Sequence, residues 1–477
     1  MSACGEQKVG GEKLAKTYCT SCHVFPEPSL LDKSTWEKKV LPEMAFRMGL
    51  RFDLLTDIPS NDRDIVMATL PDHPMVSKHD WELLVNYFLE LAPDSLQLPQ
   101  GAPITSLNQF DVEQVLLRQN EYPMITLLKS DTTRRILYVG NRSGWLSMYD
   151  FKFELMDSVR LTSPPSSMIL ADNELHVLQM GIMDPNDQSK GSLIRVNNNQ
   201  ATRLIDSLRR PVFFERADFN EDGRNDIVIC SFGNFTGDLS VYEDQGEAGF
   251  KRHVLSALPG SRNTVLTDIN NDGLTDVLAL ITQGDEQITA FVNKGDFRFE
   301  SKILLRFPSV YGSSSFQIAD FNHDGHFDIL YTNGDNADYS PVLKPYHGVR
   351  IFLNNGRHEF LEHWFFPMYG CSFAMAEDFD QDGDLDIAAF SFFPDFESGP
   401  EKSFLYFENK NGDFEAHSTP LSGSGRWLVM ESADFDGDGD ADIVLGAFDL
   451  RNGVPQGISD LWMSKPASLL LLRNRTR

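Results

Sequence analysis

The stretch Asp378-Phe-Asp-Gln-Asp-Gly-Asp-Leu-Asp386 holds an acidic residue at every odd position and a glycine at the sixth. The chain contains this nine-residue pattern, D-x-[DN]-x-D-G-x-x-D, five times, at successive spacings of 50, 52, 58 and 56 residues. The five copies start at Asp218, Asp268, Asp320, Asp378 and Asp434. Self-similarity at such a period indicates a repeat architecture, in which each repeat is one structural unit.

Each copy places side-chain oxygens at positions 1, 3, 5 and 9, where they can surround a hard cation such as Ca²⁺. The glycine at position 6 permits the sharp turn that such a loop needs. We therefore predict about five bound Ca²⁺ ions, one in each copy. The predicted calcium ligands are Asp218, Asn220, Asp222, Asp226, Asp268, Asn270, Asp272, Asp276, Asp320, Asn322, Asp324, Asp328, Asp378, Asp380, Asp382, Asp386, Asp434, Asp436, Asp438 and Asp442.

An EF-hand loop begins in the same way but requires a bidentate Glu at position 12. In the five copies, position 12 is Ile229, Ala279, Tyr331, Ala389 and Leu445, and none of these side chains carries a carboxylate. A short apolar run with β-branched residues follows each copy, where an EF-hand would begin a helix. The sequence thus excludes EF-hands and predicts a strand after every loop.

The repeated loop resembles the FG-GAP or VCBS calcium repeat, which is best known from the propellers of integrin α chains. Two upstream segments, 136–149 and 175–196, show a similar pairing of strands without the acidic loop. Two such units and five calcium-bearing units predict an all-β, seven-bladed propeller over residues 108–477. We expect the segment around 108–117 to supply the strand that closes the ring with the last blade.

In propellers of this kind the calcium loops lie on one face. The loops that join strands 2 and 3, and those that join one blade to the next, lie on the other. The long insertions of this chain fall in these second positions, at 183–191, 333–348, 392–402 and 449–467. Insertions gathered on one face usually mark a binding face. The residues expected on it are Tyr339, Tyr346, His347, Phe392, Phe393, Trp462, Arg262, Tyr311, Tyr369, Arg426 and Trp427.

Before the repeats, Cys19, Cys22 and His23 form a C-x-x-C-H motif. Two cysteines at this spacing can form thioethers with the vinyl groups of a haem, and the histidine then becomes the proximal iron ligand. The alternative is a zinc site, but zinc needs four ligands, and no second Cys/His pair lies nearby. The motif therefore predicts one covalently attached haem c.

Three helical segments surround this motif. Residues 12–18 lead into it, a capping box at 34–37 opens a second helix, and Ser77 opens a third that ends near Ala92. The apolar face of the third helix is formed by Trp81, Leu84, Val85 and Phe88. Residues 8–95 resemble a class I cytochrome c, as in bacterial fusions of such a domain with a propeller. The resemblance implies a multidomain chain: a small all-α domain, a linker over 96–107, and the propeller.

The sixth ligand of the haem iron is predicted to be Met44, because Leu41-Pro-Glu-Met44 resembles a stretch of haem domains fused to propellers. A methionine ligand would raise the reduction potential, whereas a second histidine would lower it. The other candidates remain open, and any one methionine is more often part of a core. They are Met75, Met48, Met67, His73 and His79.

The composition restricts the partners and the location. A formal net charge of -28 argues against a nucleic-acid partner. The start Ser2-Ala3-Cys4-Gly5 resembles the end of a bacterial lipobox, so residues 1–7 are expected to be a processed N-terminus lipidated at Cys4; the alternative is an ordinary start with small residues. A c-type haem implies export to the periplasm or cell surface of a Gram-negative bacterium. Membrane association would then come from the lipid anchor, and the protein is expected to be an outer-membrane lipoprotein.

Three functional hypotheses follow. The first is an exported electron-transfer and interaction protein, in which the calcium-stabilised propeller docks a protein redox partner or substrate. The second is a redox enzyme whose propeller passes substrate electrons to the haem. The third is an accessory lipoprotein of an outer-membrane protein complex. The sequence contains no G-x-S-x-G, H-E-x-x-H, P-loop or Rossmann motif, so no catalytic residue is predicted and the enzyme hypothesis is less favoured.

Overall fold

A computed structural model describes residues 2–99, 103–117, 122–171, 174–197, 200–335, 340 and 342–476, with side chains from residue 10 onward. Helices occupy the first part of the chain, and strands form most of the remainder. The helices are α1 (Ser2–Cys19), α2 (Lys33–Thr35), α3 (Leu41–Arg47), α4 (Arg63–Met67), α5 (Lys78–Leu91) and α6 (Gln456–Ser464). A π-helical turn over Trp36–Val40 joins α2 to α3. Among the described helices, none has the length and hydropathy needed to cross a lipid bilayer.

The start of α5 is as predicted, whereas the start of the second helix is not. Ser77 accepts a hydrogen bond from the Asp80 amide at 3.1 Å and caps α5. At the second helix, Asp32 is the cap, and it accepts a hydrogen bond from the Thr35 amide at 3.0 Å. The predicted capping box at 34–37 is therefore wrong. The helix begins earlier because Trp36 is buried, with its Nε1 donating to the Pro28 carbonyl at 2.9 Å.

The helices pack into a core of their own, with α1 against α5. Gly11 allows this close approach, because a Cβ at that position would lie 2.7 Å from the Leu83 carbonyl oxygen. Trp36 and Phe88 pack in the same core with their ring centroids 4.6 Å apart. The core continues into the propeller through Val310 and Tyr346.

The described strands form seven sheets, and each sheet is one blade of a closed propeller. Blades 1 to 3 contain β3 (Ile125–Asp131), β4 (Ile136–Asn141), β5 (Trp145–Asp150), β6 (Leu155–Arg160), β7 (Pro165–Ala171), β8 (Glu174–Gln179), β9 (Gly191–Asn197), β10 (Gln200–Leu208), β11 (Pro211–Ala217), β12 (Asp226–Ser231), β13 (Asp238–Asp244) and β14 (Phe250–Ser256). Blades 4 and 5 contain β15 (Ser261–Thr267), β16 (Asp276–Ile281), β17 (Gln287–Asn293), β18 (Phe299–Arg306), β19 (Ser313–Ala319), β20 (Asp328–Asn333), β21 (Gly348–Asn354) and β22 (Phe360–Pro367).

Blades 6 and 7 include the two strands that precede blade 1 along the chain. Blade 6 contains β23 (Cys371–Glu377), β24 (Asp386–Ser391), β25 (Phe404–Lys410), β26 (Asp413–Ser418) and, parallel to β26, β1 (Ile104–Ser106). Blade 7 contains β27 (Trp427–Ala433), β28 (Asp442–Ala447), β29 (Leu469–Asn474) and β2 (Phe110–Val115). The prediction of seven blades is confirmed, and part of the predicted linker 96–107 is strand β1.

The second strand of each of blades 3 to 7 is buried on both faces, which explains the continuous apolar run after each acidic loop. The first strands line the central axis and contact the first strands of adjacent blades, as β19 contacts β23 and β27 of blade 7 contacts β3 of blade 1. The ring closes through β2, which pairs antiparallel with β29 from Phe110 opposite Asn474 to Val115 opposite Leu469. The predicted closing strand is therefore confirmed.

Replacing Phe110 with alanine is expected to destabilise the closed ring by about 3–5 kcal/mol, the usual cost of removing a buried phenylalanine. Its ring is 3% exposed and packs edge-on against Phe379 and Tyr406, with centroid distances of 5.9 and 5.2 Å. The urea midpoint of unfolding measures this loss. Gln114→Ala, at an exposed position of the same strand, is the control. Equal midpoints for the two variants would contradict the prediction.

The helical domain lies on the propeller face opposite the acidic loops. Val24 forms a parallel bridge with Pro308, and Thr35 Oγ1 lies 3.4 Å from Ser340 Oγ. Arg47 lies over the ring of Phe235, with its guanidinium carbon 4.2 Å from the ring centroid. The face with the long insertions, which was predicted to bind a partner, is therefore occupied in part by the chain's own helical domain.

Candidate functional site

The five acidic loops join the first and second strands of blades 3 to 7 and adopt a common conformation. In the first copy, Asp218 accepts hydrogen bonds from the backbone amides of Asp222 and Gly223, at 3.1 and 2.7 Å. The position-6 glycines have φ between +83° and +100°, where other residues are strained. The local geometry thus follows from the predicted pattern. The first aspartate accepts hydrogen bonds from amides later in the loop, and the glycine permits the turn.

Predicted calcium ligands converge in the last two loops. In the blade 6 loop, one oxygen each from Asp378, Asp380 and Asp382 lies within 4.8 Å of the other two. The blade 7 loop brings Asp434, Asp436 and Asp442 equally close. In the first three copies an asparagine replaces the aspartate at position 3, and in each it donates to the position-5 carboxylate.

The position-9 aspartates have a second role that the sequence pattern did not indicate. Asp226 accepts hydrogen bonds from the amides of Phe219 and Asp244, at 3.0 and 2.8 Å. The corresponding pairs of bonds, to the residue at position 2 and to the end of the third strand, are formed by Asp276, Asp328 and Asp442. These carboxylates therefore fix each loop to its blade, in addition to their predicted role as ligands.

Burial raises the pKa of all five position-9 aspartates. For Asp386 it raises the pKa to about 6. For the others the direction is the same, and neighbouring loop carboxylates add to the increase: Asp226, Asp276, Asp328 and Asp442. Ionised carboxylates at these positions therefore cost free energy in the folded loop, and a bound cation would offset that cost.

The C-x-x-C-H motif lies where α1 ends. Cys19 is the last residue of α1, and Cys22 and His23 follow in the turn after it. Neither cysteine forms a disulfide. Burial, followed by the charge of Cys22, raises the pKa of the Cys19 thiol to about 11, so this thiol is uncharged at neutral pH. The His23 ring is buried, with Nδ1 2.8 Å from the Val24 carbonyl oxygen.

A cavity of about 1980 Å³ extends from this motif to the propeller axis. On the helical side it is lined by Cys19, Cys22, His23, Trp36, Leu84, Phe88 and three methionines, Met44, Met48 and Met75. The other predicted ligands, Met67, His73 and His79, do not line it. Met67 and Met75 are equally exposed, at 44% each. On the propeller side it is lined by residues of the first strands of the blades, such as Thr264, Ser315 and Phe373.

The residues predicted for the binding face divide into two groups. Those that line the cavity are Arg262, His347, Tyr369, Phe392, Phe393 and Arg426. Tyr311 and Tyr346 stack on each other, 4.8 Å apart, in the core below the helices, whereas Trp427 and Trp462 are buried in the propeller. Tyr339 lies outside the described residues.

The cavity is also lined by Glu286, which accepts hydrogen bonds from Gly312 and Ser313. Burial raises the pKa of the Glu286 carboxyl to about 7.

Comparison with known proteins supports the repeats. A family model described as an FG-GAP-like repeat matches residues 218–279, 268–331 and 378–445. Integrin alpha-PS5 of Drosophila melanogaster is 37% identical over 108 residues, which are 20% of this chain and 11% of that protein. The match thus spans about one tenth of the length of that relative.

Solved propellers resemble the chain at the level of overall shape. The Pan2 WD40 domain of Neurospora crassa superposes with a TM-score of 0.45 at 10% identity, covering 78% of this chain and 97% of that one. The Cps50 (Swd1) β-propeller domain of Myceliophteria thermophila gives a TM-score of 0.46 at 11% identity, covering 77% and 100%. The chain carries FG-GAP-like repeats, of the kind shared with an integrin α chain, in a seven-bladed β-propeller suited to binding or docking.

Proposed function

We propose that the protein is an exported electron-transfer and interaction protein whose helical domain, residues 8–95, is a cytochrome c domain carrying one covalent haem c. The observation that carries the proposal is that Cys19, Cys22 and His23 line one cavity with three methionines. The two cysteines would hold the haem and His23 would be its proximal ligand; the haem supplies reversible one-electron transfer.

The residues present fit this group. If His23 Nδ1 carries the proton, it donates to the Val24 carbonyl and leaves the lone pair of Nε2 for a metal. The walls formed by Trp36, Leu84 and Phe88 are buried and apolar, which excludes water from a large planar ligand. Both cysteines are free to form thioethers.

The test of the proposal is the spectrum of the full chain, exported by a bacterial host that attaches c-type haem. We expect the pyridine haemochrome spectrum of a c-type haem, with one haem per chain, to remain after denaturation and organic extraction. Protein without covalent haem under these conditions would overturn the proposal.

Export and a lipid anchor at Cys4 belong to the same proposal; the Cys4 side chain lies outside the described part of the chain. A tryptic N-terminal peptide of the native protein carrying a diacylglycerol modification would test the anchor.

Met44 is proposed as the sixth ligand, with Met48 and Met75 as its rivals, because these three share the cavity with His23. In the Met44→Leu variant we expect the charge-transfer band of methionine-ligated ferric haem to disappear and the reduction potential to fall. Leucine for methionine nearly conserves volume, so the fold should be retained. Met48→Leu and Met75→Leu are parallel variants, and the exposed Met67→Leu is the control. Loss of the band in one of the parallel variants, but not in Met44→Leu, would contradict the assignment.

We also propose that each acidic loop binds one Ca²⁺ ion with a structural role. The support is the convergence of three carboxylates in each of the last two loops and the turn at the position-6 glycine in all five loops. The propeller would then be a rigid platform whose remaining surface docks a protein redox partner, or a complex at the outer membrane.

A second function, a redox enzyme, is favoured by one observation: the cavity at the C-x-x-C-H motif continues to the mouth of the propeller axis. A small substrate bound among Arg262, Phe393 and Arg426 would lie in the same cavity as the proposed haem. Absorption spectroscopy and metal analysis of the purified protein distinguish the two. Haem and calcium alone favour the electron carrier, whereas an additional chromophore would favour the enzyme.

A further inference from the structure

Two buried aspartates meet where the helical domain contacts blade 2. Asp62 precedes α4 and is 2% exposed, and Asp187 lies in the insertion between β8 and β9 and is fully buried. The backbone amide of Asp187 donates to Asp62 Oδ2 at 3.3 Å. Although Asp62 occupies the cap position of α4, its side chain forms no capping hydrogen bond with that helix.

In each carboxylate, one oxygen accepts hydrogen bonds and the other has no donor. Asp187 Oδ1 accepts hydrogen bonds from the amides of Asn234, Phe235 and Thr236 and from the Thr236 hydroxyl, at 3.2, 2.8, 2.6 and 2.8 Å. These bonds hold the Asp187 side chain in one orientation. In the described structure, Asp187 Oδ2 and Asp62 Oδ1 are buried and have no hydrogen-bond partner.

Two arginines of the helical domain contact other groups. Arg63 donates to the carbonyls of Ile58 and Thr56, and Arg47 lies over the Phe235 ring. Ionised carboxylates are acceptors only, so the two cannot satisfy each other. Each carboxylate keeps one buried oxygen without a donor, and a buried polar atom without a partner costs free energy. A bound divalent cation would supply a partner for both of these oxygens.

We propose that Asp62 and Asp187 bind a Ca²⁺ ion, completed by water or carbonyl oxygens, that clamps the helical domain to the propeller. Calcium is the hard cation suited here because it accepts carboxylate oxygens in flexible, incomplete protein cages. The site is separate from the five acidic loops, which lie on the opposite face, and it does not depend on the proposed haem. Its two ligands come from different domains, so binding favours the docked arrangement.

Native mass spectrometry of the full chain at saturating Ca²⁺ tests the site. We expect Asp62→Asn to hold one Ca²⁺ ion fewer than the wild type. The matched control is Asp64→Asn, which changes an exposed aspartate two residues further along and should hold the wild-type number. An unchanged ion count in Asp62→Asn would overturn the proposal.

A second measurement uses the wild type and so does not depend on how the variants fold. Crystals of the full chain are soaked in Tb³⁺, which takes the place of Ca²⁺ and scatters anomalously. An anomalous peak in contact with both Asp62 Oδ1 and Asp187 Oδ2 would support the site. If terbium bound at the acidic loops but only water lay between Asp62 Oδ1 and Asp187 Oδ2, the proposed site would be wrong.

Discussion

Excess EGTA is expected to lower the unfolding temperature of the protein by roughly 10–20 °C. An ion that binds only the folded state stabilises it by about 2.7 kcal/mol when its concentration is 100 times Kd. Five loops filled in this way would contribute more than ~10 kcal/mol, and each kcal/mol shifts the melting temperature of a large domain by about 2 °C or somewhat less. Differential scanning calorimetry in EGTA and in millimolar Ca²⁺ measures the change.

Two controls distinguish loss of calcium from other effects of the chelator. EGTA already saturated with Ca²⁺ should leave the melting curve unchanged. Asp378→Asn, in a loop whose carboxylates converge within 4.8 Å, should remove part of the calcium-dependent stability. Asp296→Asn, with a side chain 93% exposed in a hairpin outside the loops, should remove none. A melting curve that does not respond to excess EGTA would rule out the structural role of calcium.

Replacing both Cys19 and Cys22 with serine is expected to abolish covalent haem, a fall of more than about tenfold in haem per chain. Serine cannot form the thioethers that hold a c-type haem, and the rest of the motif supplies only the iron ligand His23. Haem-stained denaturing gels and the pyridine haemochrome spectrum measure the loss. The calcium-dependent melting transition should remain, because the propeller has a hydrophobic core in every blade.

The control for this variant is Cys230→Ala, which removes a thiol buried in blade 3 far along the chain from the motif. It should carry a full complement of haem even if the propeller is slightly less stable. Covalent haem that persists in the double serine variant would show that attachment does not depend on this motif, and the proposed site would then be wrong.

The position of the helical domain changes how the propeller face should be understood. Insertions from blades 2 and 5 contact the helices through Asp187 and Ser340. Those of blades 6 and 7 instead pack on each other, with Phe396 and Trp462 5.6 Å apart. The insertions therefore contact the chain's own helical domain and line the cavity that leads to the propeller axis. A partner or substrate would have to approach through the surface and cavity that remain.

The sequence alone determined the features whose residues are close along the chain. Each acidic loop spans nine residues, and the C-x-x-C-H motif spans five, so spacing is enough to predict what their side chains can do together. The five copies set the repeat, and the closing strand 108–117 followed from counting blades. The cap at Ser77 was also predicted, because a cap and its helix are neighbours.

Only the tertiary structure decided the relations between distant residues. Asp62 and Asp187 are 125 residues apart, and neither forms part of a local pattern that would predict their contact. The same holds for which candidate ligands line the cavity at the C-x-x-C-H motif: Met44, Met48 and Met75 do, whereas Met67, His73 and His79 do not. Even the cap at Asp32 was set by burial of Trp36 against Phe88. The spacing of residues along the chain determines which ligands a short loop contains. Which distant residues come into contact depends instead on the packing free energy summed over the whole fold.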